Sequence, residues 1–185
     1  APCRAIRSFK LGFWCVQSEQ NIDGLTYLPN FLAPARQAEL LAHIDALEWR
    51  LDLKRRVQHY GYRYDYKARS VSRNDALGPL PQIFDFEVAA LENGDHFSQR
   101  PDQIIVNEYS PGQGIAPHVD CQPCFGDVIA SVSLGGACEM EFRSLQTGEQ
   151  HTLILEPGSL LVLQSEARHQ WTHGIRPRKS DVING

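Results

Sequence analysis

The sequence predicts a mainly β protein of the α+β kind: an antiparallel sandwich, barrel or jelly roll with two helices packed outside it. Three observations carry this expectation. After Pro101 the chain breaks into five short β-rich runs, Gly- and Pro-containing turn signals separate them, and the helical periodicity lies ahead of them, in two stretches before residue 93. At 185 residues the chain is most simply one domain. A chain of this length can bury on the order of 70% of its unfolded surface, so it needs neither disulfides nor a structural metal to fold.

In chain order, residues 1–22 are read as an N-terminal extension and 23–185 as the folded domain. Asp23–Tyr27 reads as extended and is followed by the turn Pro29-Asn30. Pro34 suits a first helical turn, and Leu40, Leu41, Ile44 and Leu47 follow helical spacing, which predicts an amphipathic helix over about Pro34–Glu48. Arg50–Tyr66 reads as a basic strand region and Lys67–Gly78 as polar loop. A second helix is expected over Pro81–Glu92, with Phe84, Val88 and Leu91 on one side and Asn93-Gly94 as its stop. The β runs are Gln103–Tyr109, Asp127–Leu134, Cys138–Arg143, His151–Leu155 and Ser159–Leu163. Ser110-Pro111-Gly112-Gln113-Gly114, Gly135-Gly136, Thr147-Gly148 and Glu156-Pro157-Gly158 are the turns. The chain ends on Val182-Ile183 and the pair Asn184-Gly185, a combination that commonly leads into another strand.

The composition, 42% hydrophobic and 22% charged, is that of an ordinary globular protein and excludes a disordered or collagen-like chain. Apolar stretches such as Leu160-Leu161-Val162-Leu163 fall far short of the roughly 18 residues that cross a bilayer, and the N-terminus lacks an uninterrupted apolar signal region. The reading is therefore a cytosolic or nuclear monomer with no membrane partner.

The net charge of −4 is unevenly spread. Arg50–Arg73 holds eight Lys/Arg against two Asp/Glu, a local +6 that leaves −10 on the remainder. A basic strip on an acidic protein is what an anionic partner such as nucleic acid exploits. Four of the six tyrosines, Tyr60, Tyr62, Tyr64 and Tyr66, lie within it. If Gln58–Tyr66 is extended, their rings share one face and form a row that stacks unpaired bases beside cations. The same pattern also fits a half-buried strand with solvated charges. The five cysteines do not form a secreted disulfide framework. Cys121-Gln122-Pro123-Cys124 has zinc or redox spacing, but a second pair and a βαβ setting are both missing.

His118-Val119-Asp120 puts an imidazole and a carboxylate two residues apart, on one side of an extended chain. His173, in Trp171-Thr172-His173-Gly174, can join them from another strand, and His169 is an alternative third member. Two histidines and a carboxylate make the facial triad of non-haem Fe(II) oxygenases, which leaves positions open for co-substrate and O₂.

Asn107-Glu-Tyr109-Ser-Pro111-Gly112-Gln-Gly114-Ile115-Ala-Pro-His118-Val-Asp120, then Ser131-Val-Ser133-Leu134-Gly135 and Trp171-Thr-His173-Gly174-Ile175, resembles the AlkB family of Fe(II)- and 2-oxoglutarate-dependent dioxygenases. The resemblance runs from about Gly24 to Gly185. Arg56-Val-Gln-His59-Tyr60-Gly61-Tyr62 is most similar to the dioxygenase domain of the branch that modifies tRNA wobble uridines.

The resemblance implies a double-stranded β-helix, that is a jelly roll, with Fe(II) held by His118, Asp120 and His173. Asn107 and Tyr109 would hydrogen-bond 2-oxoglutarate, with Ile115 against its carbon chain. The implied reaction uses O₂ and 2-oxoglutarate to hydroxylate or oxidatively demethylate a nucleic-acid base. Gly174 after His173 matches the family and makes His169 the poorer ligand. Tyr60, Tyr62 and Arg63 would belong to a substrate-covering lid. Gln122 stands two residues after Asp120, where repair enzymes of the family often carry an acid near the base, and Cys121 and Cys124 fall at the pocket rim.

The family also carries an Arg-x₅-Arg pair after the distal histidine, one member of which binds the 2-oxoglutarate carboxylate. The 12 residues after His173 hold only Arg176 and Arg178, at the wrong spacing. Arg50…Arg56 and Arg63…Arg69 match the spacing but precede the metal motif. The domain is therefore expected to be C-terminally incomplete, or to bind its co-substrate weakly or not at all. The alternatives are a catalytically silent nucleic-acid-binding module and a dioxygenase acting on protein or lipid.

Overall fold

The computed structural model describes residues 3–6, 22–94, 97 and 99–178, so the expected strand and turn at 182–185 lie outside it. The described strands form two antiparallel sheets. The larger is ordered β2 (Leu25–Leu28), β9 (Leu160–Leu163), β6 (Ile129–Gly135), β1 (Cys3–Ile6), β4 (Ile104–Tyr109), β3 (Arg56–Tyr60). The smaller is ordered β5 (Ile115–His118), β10 (Trp171–Ile175), β7 (Cys138–Ser144), β8 (Gln150–Leu155). This is the expected jelly-roll layering, without closure into a barrel.

Alternation along the strands builds two cores. Ile104, Val106, Val132, Leu134, Leu160 and Val162 face outward from the large sheet, into one cluster with the helices. Tyr109, Leu161 and Leu163 face the opposite way, against Met140, Phe142, Leu153 and Trp171 of the small sheet. The first cluster is closed by α1 (Pro34–Asp45) through Leu40 and Ile44, and by α2 (Asp85–Glu92) through Val88 and Leu91. α1 ends three residues before the expected Glu48. There the buried Gln58 side chain donates to the carbonyls of Ile44 (2.8 Å) and Leu47 (3.3 Å), which satisfies terminal groups that a further turn would have bonded.

The structure departs from the expected elements at three places. The basic strand does not run to Tyr66. It stops at Tyr60 because Gly61 sits at φ 77°, and a Cβ there would lie 1.8 Å from the Asp102 carbonyl oxygen, so only glycine fits and the chain turns. The four tyrosines therefore do not share a face. Part of the segment read as an extension also belongs to the fold, since Cys3–Ile6 pairs with β4 on one side and β6 on the other. Finally, β5 and α3 (Ser165–His169) occupy stretches that the pattern of runs and turns left unassigned.

Candidate metal centre and pocket

His118 ends β5 and is the direct cross-strand partner of His173 on β10, which puts both imidazoles on one face of the small sheet. The close approach of the strands depends on Gly174, where a Cβ would come within 3.0 Å of the Ile115 carbonyl oxygen. Asp120 follows in the loop. Its Oδ1 lies 3.6 Å from His118 Nε2 and its Oδ2 lies 3.6 Å from His173 Nε2. One donor atom from each residue falls within 4.8 Å of the others, and this is the one such group among the described residues. Two ligands each about 2.0–2.2 Å from an ion are at most about 4.4 Å apart, so the two 3.6 Å separations from Asp120 suit a single metal.

The donor chemistry agrees. His118 Nδ1 lies 2.9 Å from the Ala116 carbonyl oxygen, to which it donates, leaving the Nε2 lone pair free to ligate. Asp120 and His173 are buried while the His118 side chain is 28% exposed, so the group opens on the His118 side. His169, the alternative ligand, lies 3.6 Å from Asp127 instead and is not part of the group.

A side chain that the sequence did not single out holds the loop that carries Asp120. Arg168 on α3 is 2% exposed, and its guanidinium donates to the carbonyls of Asp120 (3.0 Å), Gly126 (3.2 Å) and Phe125 (3.4 Å). It thus fixes both ends of the loop that carries the carboxylate.

On the open side lies a cavity of about 280 Å³, walled by Arg55, Tyr64, Tyr66, Arg69, Asn107, Ile115, Phe125 and the His118–Asp120 pair. A smaller space of about 30 Å³ continues inward to Tyr109 and His173, sharing Asn107, Ile115 and His118 with the first. Asn107, Tyr109 and Ile115 are therefore gathered beside the triad. Arg55 joins them: its Nε donates to Asn107 Oδ1 (2.8 Å), and its guanidinium lies 5.8 and 5.5 Å from the ring centres of Tyr66 and Tyr109. A cavity of about 400 Å³ between Phe97, residues 99–103 and residues 124–130 shares Ile105 and Phe125 with this one and touches none of the three candidate ligands.

The expected substrate residues fare differently. Tyr60 lies on the helix-facing side of β3, opposite Ile104, with its ring edge-on to Phe84 and its hydroxyl donating to Gln58; burial pushes its pKa up to about 12. Tyr62 makes an isolated bridge to Ala76, and Arg63 pairs with Asp75 (3.1 Å). Gln122 is exposed on the loop. None of the four lines the cavity around the triad; Tyr64 and Tyr66 do, and Tyr64 lies 5.3 Å from the Phe125 ring. A turn-forming glycine inside the tyrosine row was the available signal. Arg176 and Arg178 are engaged by Glu141 and Glu139 on β7.

His59 underlies the turn that carries these tyrosines. Its Nδ1 accepts a long bond from the Tyr64 N–H (3.4 Å), and its ring meets Tyr66 at 5.7 Å. Burial first, then the nearby Arg50 and Arg63, push its pKa down to about 4, so it stays neutral near pH 7. The Cys121–Cys124 pair is closed as a disulfide, and no cluster of metal-ligating side chains includes it among the described residues.

Residues 24–184 match the family described as the 2OG-Fe(II) oxygenase superfamily. The chain is 39% identical over 191 residues to the alkylated DNA repair protein ALKBH8 homolog of Arabidopsis thaliana, covering 91% of this chain and 55% of that protein. It is 35% identical over 167 residues to the uncharacterized protein L905 of Acanthamoeba polyphaga mimivirus, covering 90% and 79%. A third relative, tRNA (carboxymethyluridine(34)-5-O)-methyltransferase alkbh8 of Xenopus tropicalis, is 38% identical over 165 residues, covering 86% of this chain and 26% of its own length. The chain therefore spans about half of the first relative and about a quarter of the third. Among solved structures, OsALKBH1 has the same fold, with a TM-score of 0.68 at 19% identity, covering 86% of this chain and 87% of that one.

Proposed function

The chain belongs to the 2OG-Fe(II) oxygenase superfamily, among its AlkB-type dioxygenases, and from that premise we propose that it oxidises a nucleic-acid base, hydroxylating it or removing an N-alkyl group. The observation that carries this reading is the orientation of the site: the His118, Asp120 and His173 donors open toward a cavity walled by Tyr64, Tyr66, Phe125 and Arg55. Aromatic walls stack a base, and a base must leave its helix or come from a single strand to reach such a depth. The names of the relatives point the same way, toward alkylated DNA and a tRNA uridine.

His118, Asp120 and His173 would hold Fe(II), which when bound supplies the oxidising chemistry with O₂ and 2-oxoglutarate. Asn107 and Tyr109 offer neutral donors to the dicarboxylate, and Ile115 packs its methylenes. Arg55, bonded to Asn107 and lying over Tyr66 and Tyr109, links the co-substrate strand to the wall that meets the base. Tyr60, Tyr62, Arg63 and Gln122 shape the surroundings rather than the contact. No helix among the described residues is long and apolar enough to cross a membrane, and we read the protein as a cytosolic or nuclear monomer.

Succinate formation from 2-oxoglutarate tests the reading. It should require iron, rise on adding a modified single-stranded oligonucleotide or tRNA, and disappear in His173→Ala. Iron-dependent turnover that no nucleic acid stimulates refutes the substrate.

A further inference from the structure

We propose that Cys121 and Cys124 form a reversible redox site that sets how firmly the Arg69 turn closes over the cavity. The pair follows Asp120 directly, its Cα atoms are 5.3 Å apart, and the bond is closed in the structure. Both residues are partly exposed, so small oxidants and thiols reach them. Their sulfurs also converge on one atom: Cys121 Sγ and Cys124 Sγ lie 3.3 and 3.2 Å from the Arg69 carbonyl oxygen. Arg69 sits at φ 51° and lines the cavity with Tyr64 and Tyr66.

The two states offer this carbonyl different chemistry. Two thiols can each donate an S–H hydrogen to it; a disulfide has none and leaves two sulfur atoms facing an oxygen acceptor. Reduction therefore tightens the hold on the Arg69 turn, and oxidation loosens it. Arg168 confines the change, because it holds the backbone at Asp120 on one side of the pair and at Phe125 and Gly126 on the other. The effect falls on the cavity wall at residues 64–69 and leaves the candidate ligand in place.

The oxidant is a peroxide. One sulfur attacks a peroxide oxygen and breaks the O–O bond, giving a sulfenic acid and water. The second sulfur then attacks the first, forming the S–S bond and releasing another water. Two thiols and one hydrogen peroxide thus become one disulfide and two waters. A dithiol reverses the step by exchange, leaving as its own disulfide.

The test uses the metal-free full chain, treated with hydrogen peroxide or with dithiothreitol. Alkylation and peptide mass mapping count the free thiols, and limited trypsin digestion reads the turn through cleavage after Lys67 and Arg69. Peroxide is expected to protect Cys121 and Cys124 from alkylation. Oxidation should speed those two cleavages by about threefold, the scale of losing one weak hydrogen bond. In the double variant Cys121→Ser, Cys124→Ser the hydroxyls still donate and cannot form the bond, so peroxide should leave the cleavage rate at its reduced value. The proposal is overturned if both thiols stay alkylatable after peroxide, if the unmodified chain is cut equally fast in both states, or if the serine variant responds as the unmodified chain does. The unmodified-chain comparison stands whether or not the variant folds.

Discussion

Replacing Arg168 by Met removes the guanidinium beneath the Asp120–Gly126 loop while keeping an unbranched side chain of similar reach. Two of the three bonds it breaks, to Asp120 O at 3.0 Å and Gly126 O at 3.2 Å, have ordinary length, and the third, to Phe125 O at 3.4 Å, is weak. Bonds from a charged donor contribute about 1.5–3 kcal/mol each, so the two good ones total about 3–6 kcal/mol. Relief of the buried charge offsets part of this, leaving a net loss of about 2–3 kcal/mol. At about 2–4 °C per kcal/mol for a chain of this size, the melting temperature should fall by about 5–10 °C. Because the bonded carbonyl belongs to Asp120 itself, metal affinity should fall about 10–100-fold, as for other groups that orient ligands. Calorimetry of the melt and titration with Mn(II) in the presence of 2-oxoglutarate measure the two effects. A variant that melts and binds like the unmodified protein refutes the clamp. One that loses stability but keeps its Mn(II) affinity shows a structural residue that does not position the ligand.

Gly61→Ala should cost more than about 2 kcal/mol in a denaturant titration, because it combines φ 77° with a Cβ only 1.8 Å from the Asp102 carbonyl oxygen; an unchanged midpoint would show that the turn is not fixed by this contact. His59 titrates near 4 when folded and near 6.5 when unfolded. Its contribution to stability is therefore full above about pH 6.5 and is lost as the pH falls toward 4, since the unfolded chain takes up the proton first. Allowing for solvent screening, this amounts to about 1–2 kcal/mol. His59→Gln should flatten the stability profile across that window, and a profile that keeps its slope would assign the pH dependence to other groups.

What could be read locally and what could not divide along physical lines. β4, β6 and β9 announce themselves as apolar runs between turns, because each presents one face to the helices and the other to the small sheet, whereas β7 and β8 belong to that small sheet and pack one face on the second core. The candidate triad was legible from the two-residue spacing of His118 and Asp120 and the later His173, although the structure puts Asp120 in the loop just past the strand that ends at His118. β5 was not legible: Pro117 removes a ladder donor and makes Ile115–His118 look like loop, yet β5 is the edge of its sheet, where a proline is tolerated. The tyrosine row was misread because the carbonyl that makes Gly61 turn comes from Asp102, about forty residues on. Arg168 was silent for the same reason. It sits in a five-residue helix, and its role is created by carbonyls more than forty residues earlier.

Because His118 and His173 are register partners, an ion held by both would tie metal binding to strand pairing. A slip of one residue between β5 and β10 would turn one imidazole to the opposite face and leave the ion with half its nitrogen ligands. The ladder is irregular just beyond, between His173 and Ile175, so hydrogen bonding alone specifies this alignment weakly. An ion that needs both rings on one side would accept a single alignment and so select against misregistered chains during refolding. Supplying the metal before the strands pair, rather than after, should then change which molecules are recovered as native.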